Sequence, residues 1–466
     1  MALMELETEE QVIKMAESLK NKSVNQIIKE IKWIDNDVNL ENKGYVGNII
    51  ESYFGIKRNN FSKPDLHHLG IEIKSTPLKK LKNKEDFSIK ERMVLNIINF
   101  NQENLNDFYQ SSFFKKNKKI LMVYYLFNDE ILDKDYFIHN FIYHDLSKIP
   151  LNDLNIIKND WQIIANKIKM GKAHQLSERL TKYLGACPKG NTKNDSLINQ
   201  PFSDIKAMRR AYSFKPHYLK YLLIKDEYKD KLPRLNIIEN KSVINFVFQK
   251  IVPFINLNVK ELCKKFNINY KRKDVNYALL KSIFNVKNFN YIEEFLKENI
   301  KIRTYTIKSN NTIQEEFPFN LVNPYEFENN NEISFYDSEL YNYFINTKFI
   351  FIGFKKDENN TYISKISSFE FPETNINDLK LLWEDTRKKF QGDIVISIKK
   401  TKNGKLKTIN NLISKKDGYI GHIRPKAQDR NNQYLIPCGK KITRQCYWLN
   451  KEFVQKYFKD LTEELN

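Results

Sequence analysis

Cysteine is scarce in this chain: four residues in 466, namely Cys187, Cys263, Cys438 and Cys446. None stands in a C-x-x-C pair or at zinc-binding spacing. That excludes a disulfide scaffold and a cysteine-ligated zinc, and suits free thiols in a reducing compartment. No apolar run approaches the roughly 20 residues of a membrane-spanning helix, and neither half carries a long low-complexity tract. No secretion signal is expected either. Thr8-Glu9-Glu10-Gln11, followed by Val12, Ile13, Met15, Ala16 and Leu19, predicts a helix opened by a capping box. Acidic residues are in deficit, 57 against 77 Lys and Arg, which leaves a net charge of +20. These absences predict a cytoplasmic protein with no membrane partner, and the excess of positive charge predicts a polyanion as its partner.

The most informative stretch is Lys63-Pro64-Asp65, a short spacer, then Leu69-Gly70-Ile71-Glu72-Ile73-Lys74-Ser75-Thr76. Side chains alternate along a strand, so Ile71 and Ile73 take one face while Glu72 and Lys74 share the other, roughly 6.6 Å apart at Cα. Glu-x-Lys on a strand face is a common solvated charge pair. Here it follows a Pro-Asp at a fitting distance. Asp65 and Glu72 can hold a hard divalent cation through oxygen, and Lys74 beside them can position a water for attack on phosphorus. This is the PD-(D/E)xK arrangement of metal-dependent nucleases. Just upstream, Val46, Ile49, Ile50, Tyr53 and Phe54 recur at helical spacing. Gly44 and Gly47 allow close backbone approach, Gly55 ends the helix, and Glu51 lies at the edge of the apolar stripe.

At these residues the chain resembles the MutH-like endonucleases, and within them the GATC-cutting restriction enzymes built from two MutH-like halves. The shared features are Lys43-Gly44-Tyr45-Val46-Gly47 with Glu51, Lys63-Pro64-Asp65, and Leu69 to Pro77. Further along come Ser111-Ser112-Phe113 with the basic run Lys115 to Lys119, the Asp160-Trp161 helix, and Leu184-Gly185-Ala186-Cys187-Pro188-Lys189-Gly190. The resemblance implies that Glu51, Asp65, Glu72 and Lys74 are catalytic, with Mg²⁺ on Asp65 and Glu72. It makes the 184–190 segment the base-reading loop, with Cys187 where the family often has Arg. Lys116 and Lys118 become phosphate contacts, and Lys189, Tyr212 and Lys215 join the DNA-binding set.

An internal repeat divides the chain. Tyr183-Leu-Gly-Ala-Cys-Pro-Lys189 recurs as Tyr419-Ile-Gly-His-Ile-Arg-Pro-Lys426, with one residue gained. Trp161 has Trp383, the segment Arg210 to Lys215 echoes Gln445 to Asn450, and the apolar strand Lys119 to Tyr125 pairs with Lys348 to Phe354. The expected organisation is a domain over 1–225, a linker over 226–241 and a second domain over 242–466, each an α/β unit with a mixed sheet flanked by helices. In the second copy Lys281 falls opposite Glu51, Lys301 replaces Glu72 and Arg303 replaces Lys74, with Glu294 at the Asp65 position. Such a site repels Mg²⁺ and attracts phosphate. Arg424 and Lys426 persist as possible donors to guanine or to phosphate.

By resemblance, then, the chain is a Mg²⁺-dependent type II restriction endonuclease. It cuts both strands of duplex DNA at GATC, and its second half holds another GATC copy as an allosteric effector. It is a bacterial cytoplasmic protein, monomeric in solution and able to pair on DNA, beside a methyltransferase that protects host DNA. The alternatives are a mismatch-repair nickase, which would resemble a single half, and a sequence-specific DNA-binding protein that does not cut.

Overall fold

The computed structural model describes residues 6–31, 44–57, 62–80, 87–103, 107–127, 135–189, 196–229, 231–235, 237, 242–328, 333–400, 406–426 and 432–461. Lys43 and Gly190, both part of the motifs above, lie outside them. The chain divides into two compact units, Met1–Leu232 and Pro233–Asn466.

The first unit opens with helices α1 (Glu9–Glu17) and α2 (Val24–Glu30), each started by a complete capping box, Thr8 with Gln11 and Ser23 with Gln26. Helix α3 (Tyr45–Tyr53) leads to strand β1 (Ile71–Lys80), followed by β2 (Phe87–Ile89) and β3 (Met93–Ile97). After α4 (Phe100–Glu103) and α5 (Ser112–Asn117), strands β4 (Lys119–Phe127) and β5 (Phe137–Asp145) complete a mixed sheet of order β2-β1-β4-β5. Within it β1 and β4 run parallel and the other pairs antiparallel. The long helix α6 (Leu151–Lys169) precedes β6 (Leu184–Pro188), the hairpin β7 (Leu197–Gln200) and β8 (Ser203–Met208), β9 (Arg210–Phe214) and α7 (Pro216–Glu227). Strands β3-β9-β6 form a second, three-stranded sheet.

The second unit repeats the core of this order, with an added helix before its first strand and an added hairpin after its long helix. Helices α8 (Val243–Ile251), α9 (Val259–Lys265), α10 (Val275–Phe284) and α11 (Glu293–Glu298) precede β10 (Ile300–Ile307), β11 (Phe317–Leu321), α12 (Glu339–Asn346), β12 (Lys348–Lys356) and β13 (Thr361–Phe369). There follow α13 (Ile376–Lys388), the hairpin β14 (Ile396–Lys400) and β15 (Leu406–Asn410), and β16 (Gly421–Pro425). The chain closes with the hairpin β17 (Gln433–Leu435) and β18 (Lys441–Thr443), then β19 (Gln445–Leu449), α14 (Lys451–Lys456) and β20 (Lys459–Asp460). Strand β10 pairs parallel with β12 as β1 does with β4, and β11-β19-β16 matches β3-β9-β6.

The repeat extends to buried polar groups that sequence did not single out. In the first unit the Trp161 indole donates to Glu103 at 3.3 Å, and in the second Trp383 donates to Glu326 at 3.3 Å. Burying a carboxylate is costly unless it is bonded. Glu103 also accepts from Ser112 and from the Tyr212 hydroxyl, while Glu326 accepts the Glu339 backbone N–H. Each pair ties the long helix of its unit to the short helix ahead of the central strand.

Two boundaries differ from expectation. Helix α7 runs through Glu227, and Asn140 and His139 bond Asp226 and Glu227 at 3.0 and 2.9 Å. The start of the charged 226–241 stretch is therefore part of the first unit. On the other side, Arg234 pairs with Glu293 at 2.6 Å and the Leu235 N–H bonds Glu294, so Pro233 onward belongs to the second.

One core group sets a pH dependence. His144 is buried beneath the Tyr218 hydroxyl, 2.8 Å from its Nε2, and burial pushes its pKa down to about 4, with Asp145 opposing. An unfolded His titrates near 6.5. The unfolded chain therefore binds the extra proton between these values. The contribution is full above pH 6.5 and is lost as pH falls toward 4, about 3 kcal/mol in all. Denaturant melts of wild type and His144→Gln should show the wild type losing more stability than the variant from pH 7 to pH 4.5. Equal losses would remove His144 as the cause.

Candidate active site and DNA-reading surface

Four of the expected catalytic side chains come together at the start of β1. Helix α3 begins at Gly44, whose φ of +97° suits a residue without Cβ. One turn on, Gly47 faces β1 so closely that a Cβ there would stand 3.3 Å from Ser75 Oγ. That approach carries Glu51 over the strand. The stripe that packs it differs slightly from expectation: Tyr45 is buried, while Tyr53 is half-exposed and its hydroxyl meets Ser18 at 2.9 Å.

Asp65 is placed by a pinched loop. Leu66 and Ile71 exchange two backbone hydrogen bonds, 2.9 and 3.2 Å, across a turn that ends at Gly70 with φ +69°. His67 and His68 occupy the turn, and His68 Nε2 meets the Leu6 carbonyl at 2.6 Å. The two acids are then latched by backbone N–H groups across the loop and strand. Asp65 Oδ2 accepts the Ile73 N–H at 2.9 Å, and Glu72 Oε2 accepts the Asp65 N–H at 3.2 Å. Glu72 is wholly buried, with β4 paired alongside β1 and α3 and α5 packed against the strand. Lys74 Nζ donates to Glu72 Oε1 at 2.5 Å.

Lys116 joins this cluster. It projects from α5, which Ser111 caps at its N-terminus directly before β4, and its Nζ lies 3.6 Å from Glu72 Oε1. The parallel β1–β4 pairing makes α5 a neighbour of the motif across 42 residues of sequence. Lys118 closes α5 and is half-exposed, and Lys119 pairs with Glu9 at 2.5 Å.

The electrostatics follow from crowding. Burial and then the Asp65 carboxylate push the Glu51 carboxyl up to about 7, with Lys74 opposing. Burial alone would lower Lys74, but Glu72 and Asp65 outweigh it and keep the ammonium charged. Among the described residues no three His, Cys, Asp or Glu side chains converge tightly enough to hold a metal by themselves. A convergent carboxylate pair is nonetheless the oxygen donor set that Mg²⁺ uses when water and substrate phosphate supply the remainder. The residues fit such an ion.

The reading segment differs from expectation. Leu184–Pro188 is strand β6, not a loop, and it is buried throughout. Asp160 in α6 accepts the backbone N–H groups of Lys182, Tyr183 and Leu184 at 2.7, 2.6 and 2.9 Å, which fixes how the chain enters β6. Cys187 is 1 % exposed. Only Lys189, at the strand's end, stays part-exposed among the described residues of the segment.

Tyr212 and Lys215 also differ from expectation. Tyr212 is buried, with its hydroxyl on Glu103 at 3.2 Å and its ring against Phe113. Lys215 is buried and donates to the Glu178 and Thr181 carbonyls, both at 2.5 Å. Together with the buried Arg92–Glu178 pair at 2.5 Å, it straps residues 178–181 to the sheet. Neither side chain faces solvent, so neither meets DNA in this conformation.

In the second unit the corresponding positions have changed character. Lys301 Nζ stands 4.0 Å above the Tyr343 ring, and Arg303 donates to the Tyr343 hydroxyl at 3.0 Å. Tyr343 is the fifth residue of α12 counted from the Ser338 cap, where α5 places Lys116 after Ser111. Lys281 lies 5.8 Å from the Tyr277 ring, and Glu294 is engaged by Leu235. Arg424 and Lys426 are exposed, with the Arg424 guanidinium 3.7 Å over Trp448. The pairing registers also locate the residue that the second copy gains. Pro188 opposes Arg210 and Pro425 opposes Gln445, so Gly185 matches His422 and Cys187 matches Arg424. The inserted residue falls ahead of β16.

Residues 54–160 match the family model for the DNA mismatch repair enzyme MutH. The chain is similar to the type II restriction enzyme Sau3AI of Staphylococcus aureus, 36% identical over 465 residues, 90% of this chain and 93% of that protein. It is similar also to the mismatch repair protein MutH of Buchnera aphidicola, 25% identical over 37% of this chain and 75% of that one. MutH of Actinobacillus pleuropneumoniae serotype 5b is 23% identical over 46% and 93%.

Proposed function

The chain belongs to the MutH-like type II restriction endonucleases, and from that premise we propose that it hydrolyses both strands of duplex DNA at GATC with Mg²⁺. As a member it is a nuclease that acts on DNA. The observation that carries the finer reading is the cluster at the head of β1, with Asp65 and Glu72 latched together and Lys74 on Glu72. Bound to Asp65 and Glu72, a divalent cation would stabilise the charge that develops on the phosphate. Lys74 orients the attacking water, and Glu51 holds that water from the α3 side. Lys116, drawn in by Glu72, faces the negative charge of the scissile phosphate. Attack forms the new P–O bond as the bond to the departing strand breaks.

The second unit in this proposal binds another GATC copy and raises the activity of the first. Its support is the exchange of acid for base at Lys281 and Lys301, together with an exposed Arg424 and Lys426. The protein is a monomer until DNA pairs two copies, and a companion methyltransferase protects the host's sites.

Digestion of adenine-methylated and unmethylated plasmid, with Mg²⁺ or with chelator, tests the reading. Linear fragments whose sequenced ends fall at GATC, and no cutting in chelator, are expected. Nicked circles alone would favour a mismatch-repair nickase. Tight, salt-sensitive binding without cutting would favour a DNA-binding regulator.

A further inference from the structure

Beside Lys189, on the neighbouring strand, stands an arginine that no motif pointed to. Pro188 opposes Arg210 in the β6–β9 register, so the next residues out, Lys189 and Arg209, oppose each other, and the Lys189 N–H bonds the Arg209 carbonyl at 2.8 Å. Residues directly opposite in an antiparallel pair project from one face. Arg209 is exposed. The second unit repeats the arrangement: Pro425 opposes Gln445, and the Lys426 N–H bonds the Arg444 carbonyl at 3.0 Å. In both units the arginine's own N–H is fixed by the segment leading from the first strand, Ser196 at 2.6 Å and Asn432 at 3.1 Å.

The two faces differ inward from this pair. The second unit has Arg424 and His422 on β16 and Trp448 on β19, with Arg424 lying on Trp448. The first unit has Cys187, Gly185 and Ser213 at those places. Cys187 is buried and cannot reach a base, which leaves Lys189 as the remaining donor of the segment. An ammonium is a single point charge. Reading guanine through O6 and N7 together suits a planar guanidinium.

We propose that Arg209 is the specificity-determining arginine of the cutting unit, donating to a guanine edge beside Lys189 and replacing the arginine that Cys187 displaces. This inference rests on the proposed GATC target. Arg444 retains the same place in the second unit beside an intact Arg424.

The test uses full-length wild type, Arg209→Ala and Arg209→Lys on oligoduplexes carrying GATC or each single substitution, with kcat/KM read for every duplex. Arg209→Ala should lose roughly tenfold to a hundredfold of the discrimination at guanine and keep it elsewhere. Arg209→Lys should lose it similarly while retaining the wild-type salt dependence. Two results overturn the assignment. One is an unchanged discrimination profile. The other is a uniform loss on all duplexes with the log–log salt slope reduced by about one unit, which marks a phosphate contact. The wild-type profile stands apart from both: a wild type without preference for GATC sinks the proposed target before any variant is read. Matching thermal melts confirm that the variants fold.

Discussion

Glu72→Gln should slow cleavage by on the order of a thousandfold while leaving duplex binding close to wild type. The amide keeps the side-chain volume and can still accept the Asp65 N–H, but it removes the charge that Lys74 and Lys116 share. Binding survives because most of the affinity comes from phosphate contacts elsewhere on a chain of net charge +20. Lys74→Ala should be as damaging, since it deletes the cation among Glu51, Asp65 and Glu72. Alanine at Glu72 is the poorer probe, because it strands two lysines beside a buried cavity and so mixes catalysis with stability. Single-turnover cleavage and filter binding on the same preparations separate the two effects. Near-normal cutting by Glu72→Gln would show that the chemistry lies elsewhere.

Where the sequence carried its own geometry, it could be read. Alternation through Ile71, Glu72, Ile73 and Lys74 placed the acid and base on one strand face, and both capping boxes are local patterns of four residues. The central strands β4 and β12 and the two Trp helices were equally visible as repeats. What failed to show was everything decided across the fold. Lys116 reaches Glu72 only because β4 pairs parallel with β1, and no spacing in the sequence states that. Tyr212 and Lys215 look like an aromatic and basic DNA contact when read along the chain. Tyr212 is buried because β9 is the middle strand of its sheet and Glu103 lies against it, and Lys215, the residue after β9, because its ammonium reaches back to the Glu178 and Thr181 carbonyls. Arg209 was passed over for the opposite reason. Its place beside Lys189 depends on strand register, which no spacing along the chain states.

Arg424→Ala combined with Lys426→Ala should abolish the response to a second duplex while sparing the cutting cluster. In wild type, a short GATC duplex added in trans should accelerate cleavage of DNA carrying one site by about fivefold to a hundredfold, the range of typical coupling energies. The double variant should stay at its basal rate. The second unit has kept some features of the first and lost others. It keeps the parallel strand pair and the three-stranded sheet of the first, and it keeps an exposed Arg424 on Trp448 at 3.7 Å with Lys426 two residues on. It loses the acid pair, with Lys301 and Arg303 both against Tyr343 where Glu72 and Lys74 would stand. In the proposed reading, a unit so altered binds duplex DNA without cutting it. Binding changes the rate at a distant site only if the effector favours the cutting-competent state over the resting one, so the effect must saturate with effector and vanish with its affinity. Titration of the short duplex against wild type and double variant measures both. Acceleration of the double variant to the wild-type level would move effector binding off Arg424 and Lys426. A wild type indifferent to added duplex at saturating concentration would end the effector model altogether.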